Sequence, residues 1–261
     1  MTNVIHILKK KQKIFMDKVY HIPEEAVANI RDGSMIAIGG FFATGVPRAL
    51  LRAIIAKNVR DLTLACGSGP LMGAADEAKR LVENGQIRKV IDSYCLPRSA
   101  SKGRDNPLEK KIRQGLIELE VYPMGTLAEK YRAAGAGIPA FYVETGAGSL
   151  VQESVLTNIE KNRQPKEIRR INGRDYVLEY AVKPDVALVH AYKGDWEGNL
   201  QFRKTARNFN HIMAMAGQVT IAEVENLVEP GEIEPDKIHT PGIFVQRIVQ
   251  ASSETYAVSI D

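Results

Sequence analysis

The sequence predicts an α/β fold: an open, mostly parallel sheet with helices on both faces and one antiparallel hairpin excursion. Three observations carry this. Short apolar runs, MIAI from Met35 and DVALVHA from Asp185, are unbroken rather than alternating, as in strands buried on both faces. Helical stripes of about 10 to 15 residues separate such runs along most of the chain. Asn172-Gly173 stands between two strand-like runs in EIRRINGRDYVLEYA, the strongest short-range hairpin signal.

Each element follows in order. Pro23 to Arg31 opens with proline and two glutamates, which suit a helix's first turn, and sets Ala26, Val27 and Ile30 on one face. Asp32-Gly33 is a turn, and Met35 to Ile38 is the first buried strand. After a glycine turn, Pro47 is expected at the first helical position, with Leu50, Leu51, Ile54 and Ile55 as a stripe ending near Lys57-Asn58. Leu62 to Cys66 completes a β-α-β unit. A helix over Ala74 to Val82, an Asn84-Gly85 turn and a strand over Lys89 to Tyr94 come next. A helix over Asn106 to Gln114, a strand over Ile117 to Tyr122 and a helix over Thr126 to Ala134, ended by Gly135, continue the alternation. Gly146 to Tyr180 breaks it: the polar stretch Asn158 to Lys166 leads into the antiparallel hairpin. Asp185 to Ala191 returns to the sheet, followed by a turn over Trp196 to Asn199, a helix over Phe209 to Ala216 and a strand over Val219 to Val224. Lys193-Gly194-Asp195 reads as a solvated turn, and Trp196 as the filler of a core edge or an interface. No unit of roughly 20 to 50 residues repeats, which excludes solenoids and propellers.

At 261 residues, 44% hydrophobic and 25% charged, the chain can bury a full core. Residues 1–20 read as a solvated N-terminal extension, with a targeting or docking role as the alternative, and residues 21–261 as the folded domain. Cys66 and Cys95 have no Cys-x-x-Cys spacing, so neither a disulfide framework nor a cysteine zinc site is expected, and a reducing cytoplasm is the expected location. No apolar run approaches the roughly 20 residues of a membrane helix, and MTNVIHILKKKQKIFMDK lacks the apolar core of a secretory signal. The net charge of +4 is mild, and Lys9, Lys10, Lys11, Lys13 and Lys18 all fall in the extension. No basic element with interleaved aromatics marks a nucleic-acid surface, whereas a mildly basic chain suits an anionic metabolite.

The chemistry centres on the glycine turn. Gly39, Gly40 and Gly45 lie between a buried strand and a helix start, where backbone can approach a ligand closely and unpaired N–H groups favour a phosphate, pyrophosphate or carboxylate. The spacing is neither Gly-x-Gly-x-x-Gly nor a P-loop, and Phe41 and Phe42 put an apolar wall where those loops carry small residues. Tight packing alone is the competing explanation. Further glycine turns follow strand ends at Cys66 to Pro70, Met124 to Thr126 and Thr145 to Gly148, and in an open α/β sheet such loops converge on one crevice. His6, His21, His190, His211 and His239 show no metal-ligand spacing, so no metal site is expected. Ser68 lacks the flanking glycines of a nucleophile elbow, having Cys66 and Pro70 two residues away.

The run Asp32-Gly33, an apolar strand, Gly39-Gly40-Phe41 and Gly45-x-Pro47 resembles the first signature of the A (alpha) subunit of class I coenzyme A transferases, in particular the 3-oxoacid (succinyl-CoA:acetoacetate type) branch. GTLAEKYRAAGAGIPAFY from Gly125, NGRDYVLE from Asn172, FRKTARNFN from Phe202 and HTPGIFVQRIV from His239 extend the resemblance over nearly all of the chain after its first twenty residues. It implies a CoA-transferase-like fold, a hetero-oligomer with a B subunit, and an active site between two related halves. It implies coenzyme A as a substrate, with an acyl-CoA and a free carboxylic acid, and no permanently bound cofactor. The nucleophile of the family is a glutamate in a Ser-Glu-Asn-Gly context on the B subunit, so no catalytic residue is expected in this chain. Glu83-Asn84-Gly85 imitates that motif, but Val82 precedes it and it reads as a helix end.

In the family's chemistry the carboxylate attacks an acyl-CoA to give an acyl-glutamyl anhydride, and CoA then forms a glutamyl-CoA thioester that the acceptor acid reverses. Such intermediates need backbone donors and a water-poor crevice. By resemblance, Gly39, Gly40, Phe41, Phe42, Ala43, Thr44 and Gly45 are the CoA-binding stretch. Two departures touch the acyl group: Cys66, Gly67 and Ser68 replace Ser-Asn-Asn, and Met124 replaces the glutamine of Pro-Gln-Gly-Thr. Gly67, Ser68 and Met124 are thus expected pocket residues for a less polar or differently shaped acyl group. The segment CLPRSASKGRDNP from Cys95 departs as well. The expected function is CoA transfer between an acyl-CoA and an acid, a 3-oxoacid among the candidates. Its rivals are a CoA-ester hydrolase on the same two-subunit scaffold and a non-catalytic acyl-CoA or sugar-phosphate binding module.

Overall fold

The computed structural model describes residues 18–94, 106–153, 158 and 164–251. Residues 1–17 of the N-terminal extension, residues 95–105 of the departing segment and most of the polar stretch before the hairpin lie outside the described residues, whereas Val19–Tyr20 of the extension join the main sheet as a strand. In chain order the strands are β1 (Val19–Tyr20), β2 (Met35–Ile38), β3 (Leu62–Ala65), β4 (Ile87–Asp92), β5 (Glu118–Val121), β6 (Ala140–Val143), β7 (Ile168–Ile171), β8 (Arg174–Tyr180), β9 (Val186–Asp195), β10 (Leu200–Gln201), β11 (Val219–Val228) and β12 (Arg247–Gln250). The helices are α1 (Pro23–Ala26), α2 (Arg48–Lys57), α3 (Pro70–Gly73), α4 (Ala75–Glu83), α5 (Pro107–Arg113), α6 (Met124–Gly135) and α7 (Asn210–Ala216).

The main sheet runs β1-β12-β11-β9-β2-β3-β4-β5 with every neighbour parallel, and β10 pairs antiparallel with β9. The hairpin at Asn172-Gly173 joins β7 to β8, and β6 completes a separate antiparallel sheet in the order β6-β8-β7. The unbroken apolar runs serve two faces. Ile36, Ile38, Leu64 and Leu188 share one core with α1, α2, α4 and α5. Ala37, Ala65, Ala187 and Ala222 face a second core with α6 and α7. Alanine on that second face keeps the layer thin, and each fully buried Leu or Ile on the first contributes about 1.5–3 kcal/mol.

Tertiary contacts shift some boundaries from the sequence expectation. Gly135 is the last residue of α6, as its position in the sequence suggests, but a Cβ there would fall 2.8 Å from Met215 Cβ on α7, and the left-handed turn is made by Gly137 at φ +72°. The glycine serves helix contact at the helix end. Lys193-Gly194-Asp195 is no solvated turn: it ends β9, pairs with both β10 and β11, and Asp195 is buried. The Asp195 carboxylate accepts from Glu197 N, from Asn199 N at 2.9 Å and from Asn199 Nδ2 at 2.8 Å, so it caps the turn around a half-buried Trp196. Polar letters that look like a turn thus become strand because neighbours on both sides supply ladder partners. Among the described residues no helix is long and apolar enough to cross a membrane.

Candidate functional site

β2 lies between β9 and β3. The connection after β2 runs through α2 to β3, and that after β9 runs through α7 to β11 on the other side. The chain therefore diverges at the carboxyl ends of β2 and β9, which opens a crevice at the switch of strand order. The glycine loop leaves β2 at this point. It forms one wall of a cavity of about 330 Å³, whose other walls include His190, Tyr192, Arg203, Lys204 and Glu225.

The loop is a tight turn fastened to its neighbours. Phe41 and Thr44 exchange backbone hydrogen bonds of 3.0 Å, with Phe42 at φ +47° between them. Phe42 N donates to Ser68 O at 3.1 Å, which seats the turn on the Gly67 to Gly69 segment. The Phe41 and Phe42 rings lie 5.3 Å apart, and Phe42 meets Tyr94 at 6.0 Å. Gly45 takes φ +71°, a conformation that L side chains rarely adopt. The amides of Ala43 and Gly45 meet no acceptor among the described residues.

The helix start already carries a carboxylate of the protein. Pro47 is the N-cap with ψ 75°, outside the helical range, rather than the first helical residue. The Leu50 amide donates to Glu223 Oε2 at 2.9 Å, and Glu223 is fully buried on β11. A carboxylate of the protein thus occupies the positive end of α2, as the helix dipole favours. Beside the cavity, the loop amides and the neighbouring cations are the groups chemically suited to an anion.

Sequence spacing does not single out those cations. Arg203 stacks over the Tyr192 ring at 4.4 Å and stands 3.8 Å from Glu225. Arg48 is engaged elsewhere, 3.3 Å from buried Glu77 and hydrogen-bonded to Gly73 O. His190 Nε2 lies 3.5 Å from Glu225 Oε1, and burial, with Arg203 nearby, lowers its pKa to about 4, so the ring is neutral at physiological pH. With Lys204 added, cations outnumber the Glu225 carboxylate in the cavity wall. The local signal is the basic cluster in FRKTARNFN.

Gly67 and Ser68 are brought against the glycine loop, both buried; a Cβ at Gly67 would overlap the Phe209 ring. They support the loop through backbone and shape. Met124 is the first residue of α6, beyond the end of β5, two strands along from β3, and is 43% exposed. The imitation motif Glu83-Asn84-Gly85 ends α4 in a turn with Gly85 at φ +67°, and precedes the amino end of β4, away from the crevice.

Asp92 holds the turn under the loop. At the end of β4 its oxygens accept from Gly69 N at 3.2 Å, Ser93 N at 2.7 Å and Tyr94 N at 3.2 Å, while Ser93 Oγ donates to Gly67 O at 2.6 Å. Burial raises its pKa from 3.8 to about 7 against the opposing pull of those amides. Between these two values the folded chain keeps a proton that the unfolded chain has released, so stability falls as pH rises through the window. Asp92→Asn is expected to flatten that slope, which can reach about 4 kcal/mol at 1.36 kcal/mol per pKa unit. Urea unfolding at about pH 5 and about pH 7.5 measures it, and an unchanged pH slope in the variant would refute the assignment.

Residues 20–251 match the Coenzyme A transferase family. The chain belongs to the Coenzyme A transferase family. It is 44% identical over 233 residues to the A subunit of succinyl-CoA:3-ketoacid coenzyme A transferase from Xanthomonas campestris, covering 89% of this chain and 88% of that one. It is 45% identical over 240 residues to the A subunit of 3-oxoadipate CoA-transferase from Pseudomonas putida, covering 91% and 95%. The acyl-CoA transferase apoenzyme of Escherichia coli O157:H7 superposes with a TM-score of 0.75 at 19% identity, over 90% of this chain and 47% of that one. The family member thus spans about half of that longer chain and nearly the whole of the separate A subunits.

Proposed function

We propose that this chain is the A subunit of a hetero-oligomeric, cytoplasmic CoA-transferase of the 3-ketoacid type, which moves CoA between an acyl-CoA and a free carboxylic acid. The observation that carries the reading is the end-to-end similarity to the A subunits of such transferases, 44% identity over 88% of one relative's length. In this reading the B subunit brings the nucleophilic glutamate, which is ionised at neutral pH and needs no general base. This chain binds and orients. The stretch from Gly39 to Gly45 takes part of CoA, with its exposed amides beside Arg203 and Lys204 as the anion-holding surface. Phe41 and Phe42 keep water from the anhydride and thioester. Gly67, Ser68 and Met124 shape the acyl pocket, and the missing amide side chains favour a less polar acyl group than the 3-oxoacid pattern serves.

The test is to reconstitute the chain with its B subunit, then follow CoA transfer from acyl-CoA to added acid. Turnover is expected to exceed that of the isolated chain by on the order of 10³-fold or more, as for loss of a covalent nucleophile. Borohydride trapping with mass spectrometry is expected to place the adduct on the partner. Equal CoA release with and without acceptor acid would instead establish the hydrolase. An adduct on Glu83 would overturn the division of labour.

A further inference from the structure

Two asparagines of the Arg203 to Asn210 segment grip the glycine loop from behind. Asn210 is fully buried at the start of α7. Its Oδ1 accepts from His190 N on β9 at 3.0 Å, and its Nδ2 donates to Gly45 O and to Ala206 O, each at 2.9 Å. Asn208 Nδ2 donates to Thr44 O at 3.1 Å and to Thr205 O at 2.8 Å. One amide therefore joins three pieces of backbone that are distant in sequence: the loop, the middle of β9 and the turn carrying Arg203 and Lys204. The fit leaves no spare room, because a Cβ on Gly39 would overlap Asn210 Oδ1 and one on Gly45 would come within 2.7 Å of Nδ2.

The grip also sets the direction of the loop's donors. No described peptide bond is cis, so C=O and N–H of one peptide unit point opposite ways. With the carbonyls of Thr44 and Gly45 turned toward the asparagines, the amides of Gly45 and Val46 point away from them. Thr44, Gly45 and Val46 line the cavity, and neither asparagine does.

Resting on the CoA-transferase reading above, we propose that Asn208 and Asn210 are positioning residues that aim the loop amides into the cavity and hold Arg203 and Lys204 opposite them. A buried amide satisfying one donor and two acceptors rigidifies all three strands of backbone together. Asn210→Asp preserves the shape, removes both N–H donors and sets a carboxylate against two carbonyl oxygens. In the reconstituted pair, Asn210→Asp is expected to lower kcat/KM about 100-fold, and Asn208→Ala, a less buried change, about tenfold. Cleavage of the chain by trypsin after Arg203, Lys204 or Arg207 is expected to quicken about tenfold in Asn210→Asp, because the tether at Ala206 is lost.

Met213→Ala, on the same helix and buried in the core behind it, is the control for mere destabilisation. Assayed at the same distance below its own Tm, it is expected to stay within about threefold of the wild type in both measurements. The proposal is overturned if Asn210→Asp and Asn208→Ala stay within that range, or if Met213→Ala loses as much as they do. Should Asn210→Asp fail to fold, Asn208→Ala decides. Should the wild-type pair transfer no CoA, the functional reading fails, and the trypsin comparison still decides whether the asparagines hold the loop.

Discussion

Gly73→Ala is expected to destabilise the chain by about 3 kcal/mol or more and to remove activity from the reconstituted pair. Gly73 ends α3 directly beneath the glycine loop, and an added Cβ would overlap the backbone of Phe42 and Ala43. Backbone cannot swing aside as a flexible side chain can. Phe42 is held by its hydrogen bond to Ser68 O and by a left-handed φ of 47°, and Gly73 O is tied to Arg48. The methyl must therefore lift the turn off its seat or unwind α3, and either route spoils the wall of the cavity. Gly125→Ala supplies the contrast: nothing lies within 4 Å of its Cβ position inside α6, so the change is expected to be neutral or stabilising by up to about 1 kcal/mol. Thermal and urea unfolding of the two variants compare them directly. Equal stability would mean that the loop is not seated on α3.

Removing Glu179 is expected to cost about 3–5 kcal/mol, the range for breaking a buried ion pair from one side. Glu179 on β8 is 2% exposed, with Oε2 2.8 Å from Lys130 Nζ on α6 and Oε1 bonded to Lys166. Lys130 is itself buried, 4.2 Å above the Tyr122 ring, and burial pulls its pKa below the ordinary lysine value. Glu179→Ala would strip the strongest counter-charge from two ammonium groups, and the small antiparallel sheet would lose its charged link to α6. Replacing both partners, as in Lys130→Met with Glu179→Leu, is expected to recover most of the loss, since the desolvation penalty disappears along with the attraction. A double-mutant cycle on unfolding free energy tests this. A cost of less than about 1 kcal/mol for Glu179→Ala alone would show that the pair is solvated.

Local periodicity carries much of the fold. Met35 to Ile38 and the Asp185 run are legible because an apolar strand with no alternation needs cover on both faces, and Asn172-Gly173 is legible because few other dipeptides suit a two-residue hairpin. Other elements carry no such signal. β12 has four residues and β1 two, and each is a strand only because a parallel neighbour lies beside it. The glycine loop is visible as a strand-to-helix turn, yet nothing in its spacing shows that the Leu50 amide at the helix start is already bonded to a carboxylate. Glu223 reaches that amide from 173 residues away in sequence.

The sequence alone determined the alternation of strands and helices, the place of the glycine turn and the membership signature, because each is written in neighbouring residues through spacing, propensity and glycine position. Tertiary structure decided which groups meet at that turn. β9 pairs with β2 across roughly 150 residues, and only this pairing brings His190, Asn210 and the Arg203 turn to the loop. Hydrogen bonds and charges act over a few ångströms of space and carry no mark of their partner in the local sequence. Asn210 accordingly reads as one more polar residue at a helix start until the sheet places Gly39 and Gly45 against it.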